Sequence, residues 1–311
     1  MPFVLAVGAA NMDIAGSARH PLAAGDSTPG TVRHAPGGVA RNVAENLARL
    51  GTAVRLLSPV GNDAQGLSVL AATRAAGVEV HGCWVLEDAP TSSYLSLHGP
   101  DGEMVAAVND MSILERVTPE RLTPHLGTVS AAAALLLDCN LPEAALGWLF
   151  ARHRDTPVFV DCVSASKCPR LRPWLPEVHT LKLNRLELQA LWSRPIGSDA
   201  AAECAVRWLH TQGVRQIVLS AGERGVYRSS HTGTAAWQAA VPVVVQSATG
   251  AGDALLAGLL HEHLRGVPFA QGVSFALGCA ALTLASPHAV HPDLSVAAVQ
   301  HLLASVYPAA L

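Results

Sequence analysis

A doubly wound α/β fold with a mostly parallel sheet is predicted by three observations. Short apolar runs alternate with segments of helical period along the whole chain. Polar side chains collect just past the C-terminal ends of those runs, where ligands of open α/β sheets bind. A glycine-rich turn, Thr249-Gly250-Ala251-Gly252-Asp253, joins an apolar run to a helical one late in the chain. The pattern predicts a single domain over residues 1–311, with a small β lid built from about 14–35 and 91–111.

The elements follow in order. Phe3–Gly8 is an apolar strand leading to Asn11-Met12-Asp13. In an extended chain Asn11 and Asp13 share a face, although an Asx turn uses the same residue types. Residues 14–35 are punctuated by Gly and Pro and read as short strands outside the main sheet. Gly37-Gly38 then opens a helix marked by Val39, Val43, Leu47 and Leu50, with Asn42 one turn in. Glycines there allow a ligand close to the backbone. Residues 54–61 read as a strand, 66–76 as a helix and 78–85 as a strand. Residues 91–97 and 103–110 alternate around Gly99-Pro100-Asp101-Gly102 and read as a hairpin.

From there strands at 134–138, 158–161, 179–183 and 216–220 alternate with helices near 142–152, after Asn184, and at 199–212. These strands place Asn140, Asp161, Asn184 and Ser220 at one edge. A hairpin over 226–240 precedes Val241-Pro242-Val243-Val244-Val245, which reads as a buried strand. Helices near 253–265, 269–286 and 295–306 close the chain.

Composition excludes several classes. Half the residues are hydrophobic and 14% are charged, so a large core is available. The net charge of −3 offers no basic footprint for nucleic acid or a membrane. Six cysteines without a C-x-x-C pair read as core thiols in a reducing compartment, and no signal peptide is expected. A cytoplasmic location follows as the expectation. Phe269–Ser286 lacks charge and is long enough for a membrane span, but its small and polar residues and flanking prolines favour a buried helix.

The turn at 249–253 carries the chemistry. A helix N-terminus reached through glycines presents free N–H groups and partial positive charge to an anion. Asp253 is out of place there unless it takes a proton from a nucleophile attacking a bound phosphate. An ordinary tight turn is the plain alternative. A dinucleotide fingerprint lacks its third glycine, because Leu255 stands there, and no Walker motif occurs. Asn184 and Glu187 fall on one helix face and could hold hydrated magnesium and phosphate, or simply cap the helix. His153-Arg154-Asp155 resembles a kinase catalytic triplet but lacks its downstream Asn. His261-Glu262-His263, His288 and His291 read as packing or surface residues.

Together these motifs resemble the PfkB (ribokinase-like) family of carbohydrate and nucleoside kinases over essentially the whole chain. The carriers are Asn11/Asp13, Gly37/Gly38/Asn42, Asn184/Glu187 and Thr249–Asp253. The resemblance implies that Asp253 is the general base and that the Gly250, Ala251 and Gly252 backbone forms an anion hole. It implies ATP with Mg²⁺ ordered by Asn184 and Glu187 through water, and a nucleotide site lined by Ser220, Gly222, Gly225 and Thr249. Asn11, Asp13, Gly37, Gly38 and Asn42 would hold the sugar of the acceptor. Asn109, Asn140 and Lys167, with residues 91–97, lie where the acceptor's identity is set, and their pattern within the family points to a nucleoside. A potassium ion near Ser247 and Thr249 and a homodimer through the lid are further implications. Ser247 departs from the Asp that many members carry, and Leu183 from a common Pro. Two readings of other classes stand beside this one, a non-catalytic nucleoside-binding protein and a nicotinamide-dependent oxidoreductase.

Overall fold

The computed structural model describes residues 2–307. The chain begins with β1 (Val4–Val7), β2 (Asn11–Ala18), β3 (Gly30–Gly37) and α1 (Val39–Arg49). Next come β4 (Val54–Leu57), β5 (Pro59–Gly61), α2 (Ala64–Ala75), β6 (Trp84–Leu86), β7 (Ser93–His98) and β8 (Met104–Asp110). Two short helices, α3 (Pro119–Leu122) and α4 (Leu126–Ala131), lead to β9 (Ala134–Asp138), α5 (Glu143–Phe150), β10 (Val158–Asp161) and β11 (Thr180–Asn184). Then follow α6 (Arg185–Trp192), α7 (Asp199–Thr211), β12 (Gln216–Ser220), β13 (Val226–Ser230) and β14 (Ala235–Gln238). Three helices close the chain, α8 (Ala251–Leu264), α9 (Phe269–Leu284) and α10 (Val296–Val306).

The central sheet has eight strands in the order β14-β13-β12-β11-β10-β9-β1-β4. Pairing from β4 across to β12 is parallel, and β13 and β14 add antiparallel strands at one edge. Alternation sorts side chains to the two faces. Leu5, Val7, Leu135, Leu137 and Val160 pack with α5, α6 and α7 on one side. Val4, Ala6, Leu136 and Phe159 pack with Val43 and Leu47 of α1 and Leu256 and Leu260 of α8 on the other. A doubly wound sheet is thus buried on both faces, as its apolar strands require.

A second, four-stranded sheet stands apart in the order β3-β2-β7-β8. The chain passes from β1 into it almost directly, so Asn11 and Asp13 open β2 rather than close β1. The register Asp13↔Tyr94↔Asn109 puts these three on one face. The opposite face carries Met12 and Ile14 against the core and then runs out to Val32, Leu95, Leu97 and Val108, all exposed.

Three expected elements differ. The strand expected over 54–61 breaks at Ser58, and β5 pairs with β6 in a sheet of its own. Of the run 78–85 only Trp84 and Val85 are in a strand, β6, with a single bridge at Glu79. Val241–Val245 forms no strand. Among the described residues no strand lies beyond β14 to pair with it, Pro242 lacks a donor, and Val244 is 85% exposed. The run 269–286 is α9, seated against α8 and α10, and among the described residues no helix is long and apolar enough to cross a membrane.

Candidate active site

Asp253 is the third residue of α8, whose N-cap is Gly250 at φ 81°. A side chain on Gly250 would strike the Ala289 carbonyl and be strained by that backbone. The amides of Ala251, Gly252 and Asp253 lack intrahelical acceptors and face outward with the dipole's positive end. Asp253 is only 8% exposed. Asn42 Nδ2 donates to its Oδ2 at 2.9 Å, across 211 positions of sequence. Burial pushes the Asp253 carboxyl up, to about 7, and the Asp161 and Asp138 charges add to the rise while Lys182 and Asn42 oppose it. A carboxylate poised near neutrality beside free amides can accept a proton where an anion is held.

Beneath the turn lies a charged layer absent from the sequence-derived site. Asp161 ends β10, and Lys182 beside it in β11 donates from Nζ to Asp161 Oδ2 at 3.0 Å. A Cβ on Gly252 would collide with the Lys182 ammonium, so that charge sits directly against the turn. Burial alone would lower the Lys182 pKa, but Asp161, Glu187 and Asp253 outweigh it and hold the ammonium charged. Asp138, wholly buried at the end of β9, accepts from the amides of Ala9 at 2.8 Å, Ala40 at 3.0 Å and Asn140 at 2.9 Å. It thereby ties the exit of β1 to the start of α1. The signal for both was available: a buried strand that carries Lys or ends in Asp must supply a partner.

The residues expected around an acceptor include two bonded pairs, Asn11 with Asp13 and Asn140 with Lys167. Asn11 Nδ2 donates to Asp13 Oδ1 at 2.6 Å. Burial raises the Asp13 carboxyl's pKa, against the Asn11 bond and the charge of Arg41. Gly37 lies so close to the Asp13 carboxylate that a Cβ would overlap it. Gly38, at φ 101°, caps α1 against the Ala9 carbonyl. Lys167 Nζ donates to Asn140 Oδ1 at 2.5 Å, and burial lowers the lysine's pKa. Asn109 lies in line with Asp13 but two strands away, about 10 Å by strand spacing.

On the other side of Asp253, Asn184 and Ser220 are register neighbours at the ends of β11 and β12. Asn184 and Glu187 form a capping box: Asn184 Oδ1 accepts from the Glu187 amide, and Asn184 N and Nδ2 donate to the two Glu187 carboxylate oxygens. Gly222 and Gly225 shape the turn into β13, and a Cβ on Gly225 would strike the Gln238 carbonyl. Gln238 also lines a cleft of about 920 Å³, with Val241, Ser274, Leu277, His301 and Tyr307. Thr249 is exposed, and its amide donates to the Ser247 hydroxyl at 3.2 Å.

No group of three or more His, Cys, Asp or Glu able to hold a metal exists among the described residues. With both Glu187 oxygens engaged by Asn184, this pair fits a magnesium ion that keeps its waters and arrives with phosphates. The histidines set aside above are packing residues where buried: His261 bonds Thr52 and stacks on Phe275, and His153 bonds the Thr156 carbonyl.

Comparison with known proteins agrees with this geometry. The chain is 42% identical over 301 residues to pseudouridine kinase of Escherichia coli (strain K12), covering 97% of this chain and 96% of that protein. It is 41% identical to the uncharacterized sugar kinase YeiI of the same organism, covering 94% of this chain and 81% of that one. The structure of Arabidopsis thaliana ribokinase complexed with ribose and ATP superposes with a TM-score of 0.88 at 23% identity, over 97% of this chain and 98% of that one. A model of the pfkB family carbohydrate kinases matches residues 1–295, and the chain belongs to that family of phosphotransferases acting on hydroxyl groups.

Proposed function

We propose that the chain transfers the γ-phosphoryl group of ATP to the 5′-hydroxyl of pseudouridine, giving pseudouridine 5′-phosphate. The observation that carries the reading is Asp253: a buried carboxylate at the mouth of three free amides, bonded to Asn42 of the acceptor side. Similarity to pseudouridine kinase along nearly the whole chain supports the choice of acceptor. Asn11, Asp13, Asn42 and the Gly37-Gly38 backbone hold the ribose hydroxyls, and Asn109, Asn140 and Lys167 face the base. Asp253 accepts the 5′-hydroxyl proton as the oxygen bonds to γ-phosphorus and the bond to the β–γ bridging oxygen breaks. The amides of residues 250–253 and the Lys182 charge beneath them stabilise the negative charge on the transferring group. Magnesium, when bound with ATP, neutralises phosphate charge, with Asn184 and Glu187 orienting its waters. The cleft beside Gly225 has the size of a small-molecule site and would take the adenosine part of ATP.

The four-stranded sheet acts as a lid over the acceptor, and its exposed apolar face (Val32, Leu95, Leu97, Val108) fits pairing with a second copy. A cytoplasmic location and a potassium ion near Ser247 and Thr249 belong to the same reading. A second acceptor class, a free sugar or another nucleoside, is favoured by the almost equal similarity to the sugar kinase YeiI.

The test is ATP-dependent phosphorylation by purified protein across pseudouridine, uridine, ribose, adenosine, inosine and cytidine, with the product's phosphate located by NMR. Pseudouridine should exceed the others in kcat/KM by orders of magnitude. A different winner would transfer the reading to that acceptor. Nucleoside binding without turnover would overturn the catalytic role.

A further inference from the structure

We propose that Arg41 is a positioning residue for phosphoryl transfer, fixing the Asn42 side chain so that its NH₂ rather than its carbonyl faces Asp253. This rests on the kinase reading above. An amide side chain has two nearly isosteric orientations, and only its partners decide between them. Here the decision is made on one side by Arg41 Nη1, which donates to Asn42 Oδ1 at 2.9 Å. A guanidinium has no acceptor atom, so it accepts only one orientation of its neighbour. On the other side Asn42 Nδ2 reaches Asp253 at 2.9 Å.

The guanidinium itself has little freedom. Arg41 is 4% exposed. Its Nε donates to Thr73 Oγ1 at 3.2 Å, and the same Thr73 hydroxyl donates to the Val69 carbonyl at 2.6 Å. Nη1 also donates to the Pro36 carbonyl at 3.1 Å, which ties the end of β3 to α1. Nη2 pairs with Glu45, whose other oxygen accepts from Arg49. Arg41 therefore joins the lid strand that ends at Gly37, the acceptor residue Asn42 and, through it, the base.

Removing the fork leaves Asn42 oriented by Asp253 alone, whose oxygens select the NH₂ face only while the carboxyl is ionised. Turned over, its Oδ1 would meet the Asp253 carboxylate and favour the protonated acid. The charged groups that face Asp253 are Asp161 from β10, Lys182 from β11, Asp138 from β9 and Arg41 from α1. Substitution at Arg41 leaves the first three in place.

The experiment uses Arg41→Met/Glu45→Met, in which both members of the buried pair leave together, while Arg49, the other partner of Glu45, is part-exposed and keeps the Pro292 carbonyl. Arg41→Gln is the second variant, since it keeps Glu45 paired to Arg49 and its own amide cannot arbitrate. Arg49→Met is the control, removing a charge from the same helix without touching Asn42. With fold checked by thermal midpoint, both Arg41 variants should lose about 10²-fold in kcat, the size expected of misplacement at a reacting centre. The acid limb of kcat should move to higher pH, the acceptor KM should change less, and Arg41→Lys, which keeps one donor, should recover part of the loss. The Asn42 side-chain amide protons, followed by NMR, should exchange faster in the Arg41 variants and not in Arg49→Met. A folded Arg41→Gln enzyme with wild-type kcat, pH profile and amide exchange overturns the proposal, as does an equal loss in Arg49→Met. Absence of turnover in the wild type overturns the kinase reading instead, while the amide exchange still decides the role of Arg41.

Discussion

The edge of the central sheet and the outer strand β8 of the second sheet treat their polar residues in opposite ways. At the C-terminal edge of the central sheet, Asp138, Asp161, Asn42 and Asp253 are buried, Lys182 is mostly so, and each is bonded to a partner from another element. On the four-stranded sheet, β8 is exposed along its whole length and the Asn109 side chain has no hydrogen-bond partner among the described residues. One region is fully bonded within the fold and the other is open to solvent. On the proposed reading the difference shows where each cost falls: charge that would stabilise a transition state is preorganised, and selection of an acceptor would be left to the exposed strand.

The sharpest way to break the comparison is to remove the base. Asp253→Asn should lower kcat by about 10²–10⁴-fold, the usual contribution of a general base, with acceptor binding by calorimetry nearly intact. The same variant should unfold at a higher temperature than wild type above neutral pH. A carboxylate whose pKa rises on folding contributes stability that is complete below its unfolded value and lost as pH climbs through its folded one. At pH 8 the wild type has lost that contribution and the Asn variant has nothing to lose. A variant less stable than wild type there would place Asp253 among the groups that hold the fold together.

Lys182→Met tests the buried layer itself. It strands Asp161 without its partner, and breaking a buried pair costs about 3–5 kcal/mol. Denaturant titration should show that loss, and Lys182→Met/Asp161→Leu should recover most of it. A loss within the range of a surface substitution would mean that the layer is solvated.

A pH profile sharpens the comparison further. The base must be ionised to act, so kcat should fall about tenfold per pH unit below the folded pKa of Asp253, near 7. A flat profile down to pH 5 would point to a different proton acceptor.

The smallest effect belongs to the open region. Asn109→Ala should raise the KM for the acceptor severalfold to about tenfold, the scale of one hydrogen bond, and leave kcat close to wild type. A fall in kcat of the Asp253 size would show that the lid residue takes part in chemistry and that the two regions are not separate.

Much of this architecture was legible locally. The N-x-D pair, the glycines before α1, the capping pair Asn184 and Glu187, and the turn at 249–253 are short-range patterns whose spacing fixes which side chains share a face. Asn184 and Glu187 show the limit of such reading. Their three residues of separation serve a capping box and a water-mediated metal contact equally, and the structure has them bonded to each other. Val241–Val245 failed for a related reason. Its β-branched run carries the composition of a buried strand, but a strand needs a neighbour, and none lies there.

By itself, the sequence determined the alternation of strands and helices, the side of the sheet that bears the polar residues, and the carboxylate in the first turn of α8. Those follow from periodicity and from a carboxylate in a turn built for anions. Only the tertiary structure decided that Asn42 meets Asp253, that Asp161 pairs with Lys182 under Gly252, and that Arg41 bonds the Asn42 side chain. The first contact crosses 211 positions, the second joins neighbouring strands 21 positions apart, and Arg41 is the immediate neighbour of Asn42 on one helix. In each case the pairing is set by the cost of leaving a buried polar group unsatisfied, a condition visible only once packing has excluded water.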